Sequence, residues 1–431
     1  MLVEFSVQNY RSIYKRITLS MEAASKNELD EHTIEQSNIR LLKTSVIYGA
    51  NASGKSNLLK AMNFMKVIVM NSSKDSQAGE PIQAEPFLLN SNGINEPTEM
   101  EIVFLIEGIL YRYGFAVNTK EVLHEWLVIK NTKAKSRDIV LFDRAGSEII
   151  THKDFKEGKD KVQPLLRENS LFISLLAQFN GELSSKVVKC FLDTNVWNID
   201  TYMPMHTSLL IKNNLVPKDW VSEFITKADV GIKGFKIDEE VIETNNPKNF
   251  IVSDLTKKRT GALKLISTNI QTEHEFYDSN DGKMKSIVFD MNTQESEGTK
   301  KFFSLAGLLY HTLKNGNRLC IDEIENSLHP YLTRIIIRLF QDKETNPLGA
   351  QLIFTTHDTN HLDKERFRRD EIWFTEKDTQ NSTDLYSLVE YKLGKPRKDA
   401  TYYKDYIKGK YGAVPYAKYS DFVALFKRNK H

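Results

Sequence analysis

The sequence is poor in cysteine, in long apolar runs and in net charge. Its 431 residues include only two cysteines, Cys190 and Cys320, and Cys320 lies within an apolar, strand-like segment. This argues against a disulfide framework. No apolar run approaches the ~18 residues of a membrane-spanning helix, and the first residues are strand-like rather than basic and then apolar. We therefore expect a soluble, cytoplasmic protein.

The sequence also has no internal repeat of fixed period and no long heptad run. These absences exclude repeat architectures and a coiled-coil arm. Hydrophobic residues make up 40% and charged residues 27% of the chain, which is ordinary globular usage and argues against disorder. At ~150 residues per domain, we expect two or three structural units.

The formal net charge of +2 is unevenly distributed along the chain. Residues 391–431 contain eleven Lys and Arg against three Asp and Glu, so their balance is +8 and that of the remainder is −6. The same segment holds seven of the 17 tyrosines. Its tyrosines could pack on the body of the protein, stack on unpaired bases beside basic phosphate contacts, or dock a partner protein.

A phosphate-binding pattern is the strongest signal in the sequence. The apolar segment 44–48 runs into Gly49-x-x-x-x-Gly54-Lys55-Ser56, and apolar residues at helical spacing follow. Glycines let backbone N–H groups turn toward phosphates at a helix N-terminus. Lys55 can reach the β- and γ-phosphates of ATP, and Ser56 can bind Mg²⁺. The residues predicted to contact the nucleotide are Gly49, Asn51, Ala52, Ser53, Gly54, Lys55, Ser56 and Asn57.

An acidic pair at the end of a later strand pattern complements this loop. Asp322 and Glu323 follow the apolar residues 319–321. We predict that Asp322 binds Mg²⁺ and that Glu323 is the general base for an attacking water. Because Lys55 and Asp322 lie far apart in the sequence, a large insertion separates the two halves of one nucleotide site.

A second anion-binding pattern precedes the helix predicted from about Thr299. Ser296 and Gly298 form a Ser-x-Gly sequence at its N-terminus, where backbone N–H groups are free to bind an anion. An ordinary N-cap serine is the simpler explanation for the same residues. Their position between the loop and the acidic pair favours a role in the nucleotide site.

These patterns predict the fold class and the domain organisation of the chain. We predict an α/β protein in which a mixed sheet flanked by helices is interrupted by a mainly helical insertion. The predicted parts are an N-terminal lobe with the loop and β-hairpins (1–150), the insertion (151–280), a C-terminal lobe (281–376) and a basic, Tyr-rich extension (377–431).

Together these motifs resemble the ABC-type ATPase heads of the SMC/RecF group. Three more segments add to the resemblance: Asn9-Tyr10-Arg11-Ser12, Glu325 to Pro330, which is similar to the D-loop of that group, and Thr356-His357-Asp358, which is similar to its switch histidine. Within the group, segments 368–374 and 409–415 resemble the overcoming-lysogenization-defect-like ATPases of bacterial anti-phage defence, especially the RloA-type and PARIS-type proteins.

The resemblance implies a mechanism. Two heads would sandwich two ATP molecules, and Ser296 and Gly298 of one head would close the site of the other. His357 would act near the γ-phosphate, although it could instead be a polar residue at the end of a strand. Gln83 is a candidate for the glutamine that contacts Mg²⁺ in the family.

Two elements of related proteins, a coiled-coil arm and a metal-nuclease domain, are not found in the sequence, and this restricts the functions that the resemblance implies. Without a coiled-coil arm the chain is not a chromosome tether, and the 57 residues after Phe374 are too few for a metal-nuclease domain. We therefore expect ATP-dependent head closure to regulate a separate effector, such as a nuclease, in defence. The alternatives are a RecF-like ATPase that binds DNA in repair and a nucleotide-locked scaffold with little turnover.

Overall fold

The chain forms two compact units. The computed structural model describes residues 1–24, 28–133, 136–158, 162–197, 204–244, 256–257, 263–391, 401–415 and 419–428. Unit 1 comprises Met1–Asn198, Gly316–Ile324 and Ile337–His431, and unit 2 comprises Ile199–Asn315 and Glu325–Ile336. Three parts of the predicted basic extension, residues 392–400, 416–418 and 429–431, lie outside the described residues.

The strands and helices are numbered along the chain. The strands of the described residues are β1 (Leu2–Gln8), β2 (Ile17–Ser20), β3 (Thr33–Gln36), β4 (Ile39–Leu42), β5 (Thr44–Gly49), β6 (Thr98–Ile106), β7 (Ile109–Val117), β8 (Val122–Asn131), β9 (Ile139–Ala145), β10 (Glu148–Thr151), β11 (Thr194–Trp197), β12 (Gly234–Thr244), β13 (Thr256–Lys257), β14 (Leu263–Asp278), β15 (Lys283–Asp290), β16 (Arg318–Ile321), β17 (Gln351–Thr355), β18 (Ile372–Lys377) and β19 (Thr383–Ser387). The α-helices are α1 (Lys55–Asn71), α2 (Phe172–Gln178), α3 (Glu182–Leu192), α4 (Pro204–Lys212), α5 (Lys218–Lys227), α6 (Glu297–Asn315), α7 (Pro330–Gln341), α8 (Tyr402–Ile407) and α9 (Tyr419–Arg428).

Unit 1 contains an antiparallel sheet of seven strands in the order β10-β9-β8-β7-β6-β1-β2. One hairpin of the N-terminal lobe turns at Glu107 and Gly108, where Ile106 pairs with Ile109 across the turn. Both turn residues have positive φ, 50° and 80°, as a two-residue turn that follows the strand twist requires.

Unit 1 also contains a six-stranded sheet in the order β11-β16-β17-β5-β18-β19. Its pairs are parallel except for the last, β18 with β19. Every residue of β5 is buried, as expected for a central strand of a parallel sheet. The carboxyl ends of β5, β16 and β17 therefore lie at one edge, where α/β sheets bind ligands.

Helix α1 packs between these sheets and forms much of the core of unit 1. It contacts β1, β5 and β11 as well as α2 and α3. Its buried face contains the residues whose helical spacing is evident in the sequence: Leu58, Leu59, Met62, Met65 and Val69. The α/β class predicted from the sequence is confirmed by this arrangement of sheets and helices.

Unit 2 combines helices with a second antiparallel sheet. Helix α6 packs against α4 and α5, and the hydroxyl of Thr207 on α4 donates to the carbonyl oxygen of Phe303 at 2.8 Å. Trp220 and Phe224 of α5 stack at 4.9 Å, and Phe224 stacks on Phe302 of α6 at 5.0 Å. The sheet contains β12, β14 and β13, and β15 pairs with β14.

The segment 151–280 differs from the mainly helical insertion expected from the sequence. It holds helices α2 to α5 up to Lys227, but from Gly234 onward its described residues form the long antiparallel strands β12 to β14. Alternating apolar positions, as in Phe235 and Ile237, were present in the sequence. An antiparallel sheet can leave one face in water, so its strands can carry charged residues at alternate positions. The Lys, Asp and Glu residues at these positions gave the segment the overall polarity of a loop.

The basic extension is part of unit 1, and its segment 401–415 packs on β5 and β18 of the six-stranded sheet. Tyr402, Tyr406 and Tyr411 are 7%, 6% and 4% exposed. The ring of Tyr406 stacks on Phe374 of β18 at 5.5 Å and lies 5.9 Å from that of Tyr48 in β5. Of the three interpretations of the extension, packing on the body therefore describes this segment. Helix α9 instead exposes Tyr419, Phe422, Leu425 and Phe426.

No helix among the described residues is both long enough and apolar enough to cross a membrane.

Candidate functional site

The phosphate-binding pattern lies at the carboxyl end of β5, between β17 and β18. The chain turns after Gly49 and enters α1 at Lys55, which gives the strand, loop and helix that the motif requires. Ala52 and Gly54 have φ values of 63° and 114°. A Cβ atom at Gly54 would overlap the side chain of Thr383, so this position requires glycine.

Hydroxyl groups from distant parts of unit 1 hold the loop. The side-chain oxygens of Ser53 and Thr375 lie 2.6 Å apart, and the Thr383 hydroxyl donates to the carbonyl oxygen of Ser53 at 2.8 Å. The side-chain oxygens of Ser12 and Thr383 lie 2.8 Å apart, and Asn57 donates to Ser12 at 2.7 Å. A short hydrogen-bonded network therefore fixes the loop before any ligand binds.

Sequence reasoning missed Thr375 and Thr383. The pairing of β18 with β5 places Thr375 opposite Gly49, and the β18–β19 hairpin brings Thr383 back to the same place. Single threonines in ordinary strands carry no signal of such a role. Ser12 did carry a sequence signal, because it belongs to the Asn9-Tyr10-Arg11-Ser12 segment, which is part of the family resemblance.

Lys55 directs its ammonium group into the turn of the loop. Its Nζ atom donates to the carbonyl oxygens of Gly49 at 2.8 Å and Ala50 at 3.1 Å, and the residue is 5% exposed. A buried cation at the N-terminus of α1 adds to the positive potential of the helix end. This end of α1 is therefore suited to bind an anion such as a phosphate chain.

The acidic pair follows β16 and is organised by one threonine of β17. The Thr355 hydroxyl donates to Oδ1 of Asp322 at 2.6 Å and accepts from the backbone N–H of Glu323 at 2.8 Å. Thr355 is fully buried and Asp322 is 8% exposed. Glu323 has a φ of 48°, in the sparsely populated left-handed region for a non-glycine residue. Thr355 thus fixes both acids, and nothing in the sequence indicated it.

Glu323 and His357 face the phosphate-binding loop. Nε2 of His357 lies 3.9 Å from Oε1 of Glu323, and both side chains are about 40% exposed. Together with residues 51–57 they line one cavity of about 410 Å³. The structure therefore brings together, in unit 1, the loop and the two residues that sequence reasoning assigned to catalysis.

The donors at this site fit Mg²⁺ that is bound together with a nucleotide. Ser56 lines the cavity. The Asp322 carboxylate, oriented by Thr355, lies next to Glu323 in the chain but is 8% exposed and is not among the lining residues. Hydroxyl and carboxylate oxygens are ligands that Mg²⁺ prefers. Within the described ranges no cluster of three His, Cys, Asp or Glu residues could hold a metal alone. The donors therefore suit a Mg²⁺ ion whose other ligands are phosphate oxygens and water.

Ser296 and Gly298 lie in unit 2, at the start of α6. The Ser296 hydroxyl accepts from the backbone N–H of Thr299 at 3.1 Å, which is the geometry of an N-cap. A Cβ atom at Gly298 would overlap the carbonyl oxygen of Ser327. The simpler N-cap explanation thus describes the contacts of Ser296 within the chain, and its role toward a nucleotide stays a prediction.

Gln83 is exposed and lies in the segment between α1 and β6. It is not one of the residues that line the cavity with the loop. Its proposed contact with Mg²⁺ also stays a prediction.

The fold and this cavity define a protein with a P-loop nucleotide site. A family model described as "AAA domain, putative AbiEii toxin, Type IV TA system" matches residues 45–363, which is more than half of the chain. The chain belongs to this family. The match includes the loop, the acidic pair and His357, and it ends before the basic extension.

Similar solved structures include an SMC head and the protein RecF. An SMC head bound to the C-winged helix domain of ScpA is 11% identical, with a TM-score of 0.37 over 90% of this chain and 97% of that chain. The recombination mediator protein RecF of the RecFOR pathway is 12% identical, both in a structure with ATP (TM-score 0.33, 89% and 97% covered) and in one titled RecF-ATPrS (TM-score 0.31, 89% and 98% covered). With TM-scores below 0.5, the fold assignment depends on the strand order and loop geometry of this chain. The comparison with curated proteins found no match.

Proposed function

We propose that this protein binds ATP and Mg²⁺ in the cavity of unit 1 and hydrolyses the ATP. The observation that carries this proposal is the single cavity that contains both the phosphate-binding loop and the Glu323–His357 pair. A phosphate-binding loop alone would support binding only. An acid that faces it supplies the base that hydrolysis requires.

Each residue has a role that follows from its position. Lys55 and the backbone N–H groups of the loop bind the phosphates, so the ammonium exchanges loop carbonyls for phosphate oxygens. Ser56 and Asp322 would hold Mg²⁺, which would neutralise phosphate charge. Glu323 accepts a proton from the attacking water, and His357, 3.9 Å from Glu323, orients the water or the γ-phosphate.

Two copies of the chain complete the site in this proposal. The Ser296-x-Gly298 start of α6 would bind the γ-phosphate held by the partner copy, because a helix N-terminus stabilises negative charge. The proposed assembly is therefore a dimer or a higher homo-oligomer that closes on ATP. ATP hydrolysis would then release the closed state.

The proposed biological role is the ATP-dependent control of a separate effector protein, such as a nuclease, in anti-phage defence within the bacterial cytoplasm. The description of the family refers to a toxin, and the sequence resembles ATPases used in defence. The RecF-like alternative predicts direct DNA binding. Measuring ATP hydrolysis with and without duplex DNA separates these roles, because a DNA-acting ATPase should be stimulated and should bind DNA with a steep salt dependence.

Substitution of Glu323 by Gln tests the proposed chemistry. The variant should bind ATP as the wild-type protein does, lose turnover and accumulate as ATP-dependent dimers, detectable by light scattering. Wild-type turnover of Glu323→Gln would contradict the assignment of the base. Turnover that is negligible even in the wild-type protein would favour the nucleotide-locked scaffold.

A further inference from the structure

A buried lysine joins the start of α6 to the turn that follows the acidic pair. Lys301 is one turn into α6 and is 3% exposed. Its Nζ atom donates to the carbonyl oxygen of Asn326 at 2.8 Å. Both residues belong to unit 2. Lysine is almost never fully buried without a partner, so this contact requires an explanation.

The turn itself is tightly shaped. The backbone N–H of Leu328 donates to the carbonyl oxygen of Glu325 at 2.9 Å, and Ser327 has a φ of 58°. The backbone of this turn approaches α6 so closely that a Cβ atom at Gly298 would overlap the carbonyl oxygen of Ser327. The 325–328 turn and the start of α6 therefore touch at two points, Gly298 and Lys301.

The turn is continuous with the proposed general base. Asn326 follows Glu323 by three residues, and the backbone N–H of Ile324 donates to the carbonyl oxygen of Thr355 at 3.1 Å. The segment 323–326 is thus hydrogen-bonded near its start to β17 and at its end to Lys301. A displacement of α6 would therefore displace the carbonyl group of Asn326, to which Lys301 donates its hydrogen bond.

We propose that Lys301 is a positioning residue that couples the Ser296–Gly298 helix start to the turn after Glu323. The inference rests on the proposed function. When the helix start of one copy binds the γ-phosphate held by its partner, Lys301 transmits the shift of α6 to the 325–328 turn of its own copy. A head that has closed on its partner then places its own Glu323 for hydrolysis.

The neighbouring lysine provides a matched control. Lys300 pairs with Glu297 at 2.9 Å; the lysine side chain is 18% exposed and that of the glutamate is 77% exposed. Lys300→Met removes the same charge from the same helix but leaves the contact with Asn326 in place. Lys301→Met keeps the length of the side chain and removes only the donor and its charge.

The experiment compares these variants in the wild-type and Glu323→Gln backgrounds. We expect Lys301→Met to bind ATP within about twofold of the wild-type protein and to lose about tenfold or more in kcat, because misplaced groups cost rate rather than ground-state affinity. Lys300→Met should keep wild-type kcat, and Lys301→Arg, which retains a donor, should recover part of the loss. Wild-type kcat in Lys301→Met, or equal losses in both methionine variants, would overturn the proposal.

Hydrogen exchange tests the coupling without a substitution at Lys301. In Glu323→Gln, ATP should slow amide exchange both at 296–301 and at 325–328. Slowing confined to 296–301 would overturn the coupling. If Glu323→Gln does not dimerise with ATP, the proposed function fails first. If it dimerises and the turn does not respond, the inference about Lys301 alone fails.

Discussion

Replacing Thr355 with valine tests how the acidic pair is held. The substitution keeps the shape of the side chain and removes its hydroxyl, which donates to Asp322 at 2.6 Å and accepts from the backbone N–H of Glu323 at 2.8 Å. Both bonds are lost together. The methyl group that takes the place of the hydroxyl cannot form either bond.

The expected magnitude follows from the two groups that lose a partner. An unsatisfied buried polar group costs about 1–3 kcal/mol, and bonds to charged groups lie at the upper end. We therefore expect the free energy of unfolding of Thr355→Val to fall by about 2–4 kcal/mol. Because Glu323 also loses its backbone anchor, kcat should fall by about tenfold or more while ATP affinity changes little.

Two assays measure these effects. Urea unfolding followed by tryptophan fluorescence gives the change in stability, and phosphate release at saturating ATP gives kcat. Thr355→Ser is the matched control, since it keeps the hydroxyl and loses only a methyl group. Thr355→Ser should lie close to the wild-type protein in kcat. A Thr355→Val protein with wild-type stability and kcat would refute the reasoning.

Three further predictions concern the loop, the tail and the thiols. Gly54→Ala should abolish ATP binding in an equilibrium titration, because a Cβ atom there meets Thr383 and the φ of 114° strains any other residue; wild-type affinity would contradict this account. Tyr406→Ala should destabilise unit 1 by about 3–5 kcal/mol in urea unfolding, since it removes a buried ring. Tyr403→Ala, at a position 45% exposed, should change stability by about 0.5 kcal/mol or less, and equal losses in the two variants would show that the tail does not pack as described. Burial raises the pKa of the Cys320 thiol to about 12, so iodoacetamide should label it only after unfolding, and rapid labelling of the native protein would show that β16 is not buried.

Local patterns in the sequence were sufficient for the parts of the site that are contiguous in the chain. The loop 49–56 and the helix behind it follow from glycine spacing and helical periodicity. The acidic pair follows from an apolar strand that ends in two acids. In these segments the local preference and the tertiary fold agree.

The hydrogen bonds that support the site could not be predicted, because they come from side chains distant in the sequence: 33 residues separate Thr355 from Asp322, and 330 separate Thr383 from Ser53. Thr375 and Thr383 meet the loop only because β18 and β19 pair beside β5. Thr355 reaches both acids only because β16 and β17 are parallel neighbours. A threonine in a strand is ordinary, and only the register of the sheet gives it a role.

The charged tail shows a different limit of sequence reasoning. Its composition was compatible with packing, nucleic-acid binding and partner docking, since lysine and tyrosine occur in all three. The contacts of Tyr406 and Tyr411 with Phe374 show that 401–415 packs on β18. The strands β12 to β14 were missed for a related reason, because charged residues on a solvated face hide the alternation of the buried one.

Equilibrium binding of ATP to the wild-type protein and to Lys55→Met tests the central claim most directly. Methionine keeps the length of the buried side chain and removes the ammonium group that binds phosphate. The wild-type protein should bind a fluorescent ATP analogue in the presence of Mg²⁺, and Lys55→Met, checked for native circular dichroism, should bind it about a hundredfold more weakly or not at all. Equal affinity of the two folded proteins, or no binding by the wild-type protein, would contradict a nucleotide site in this cavity.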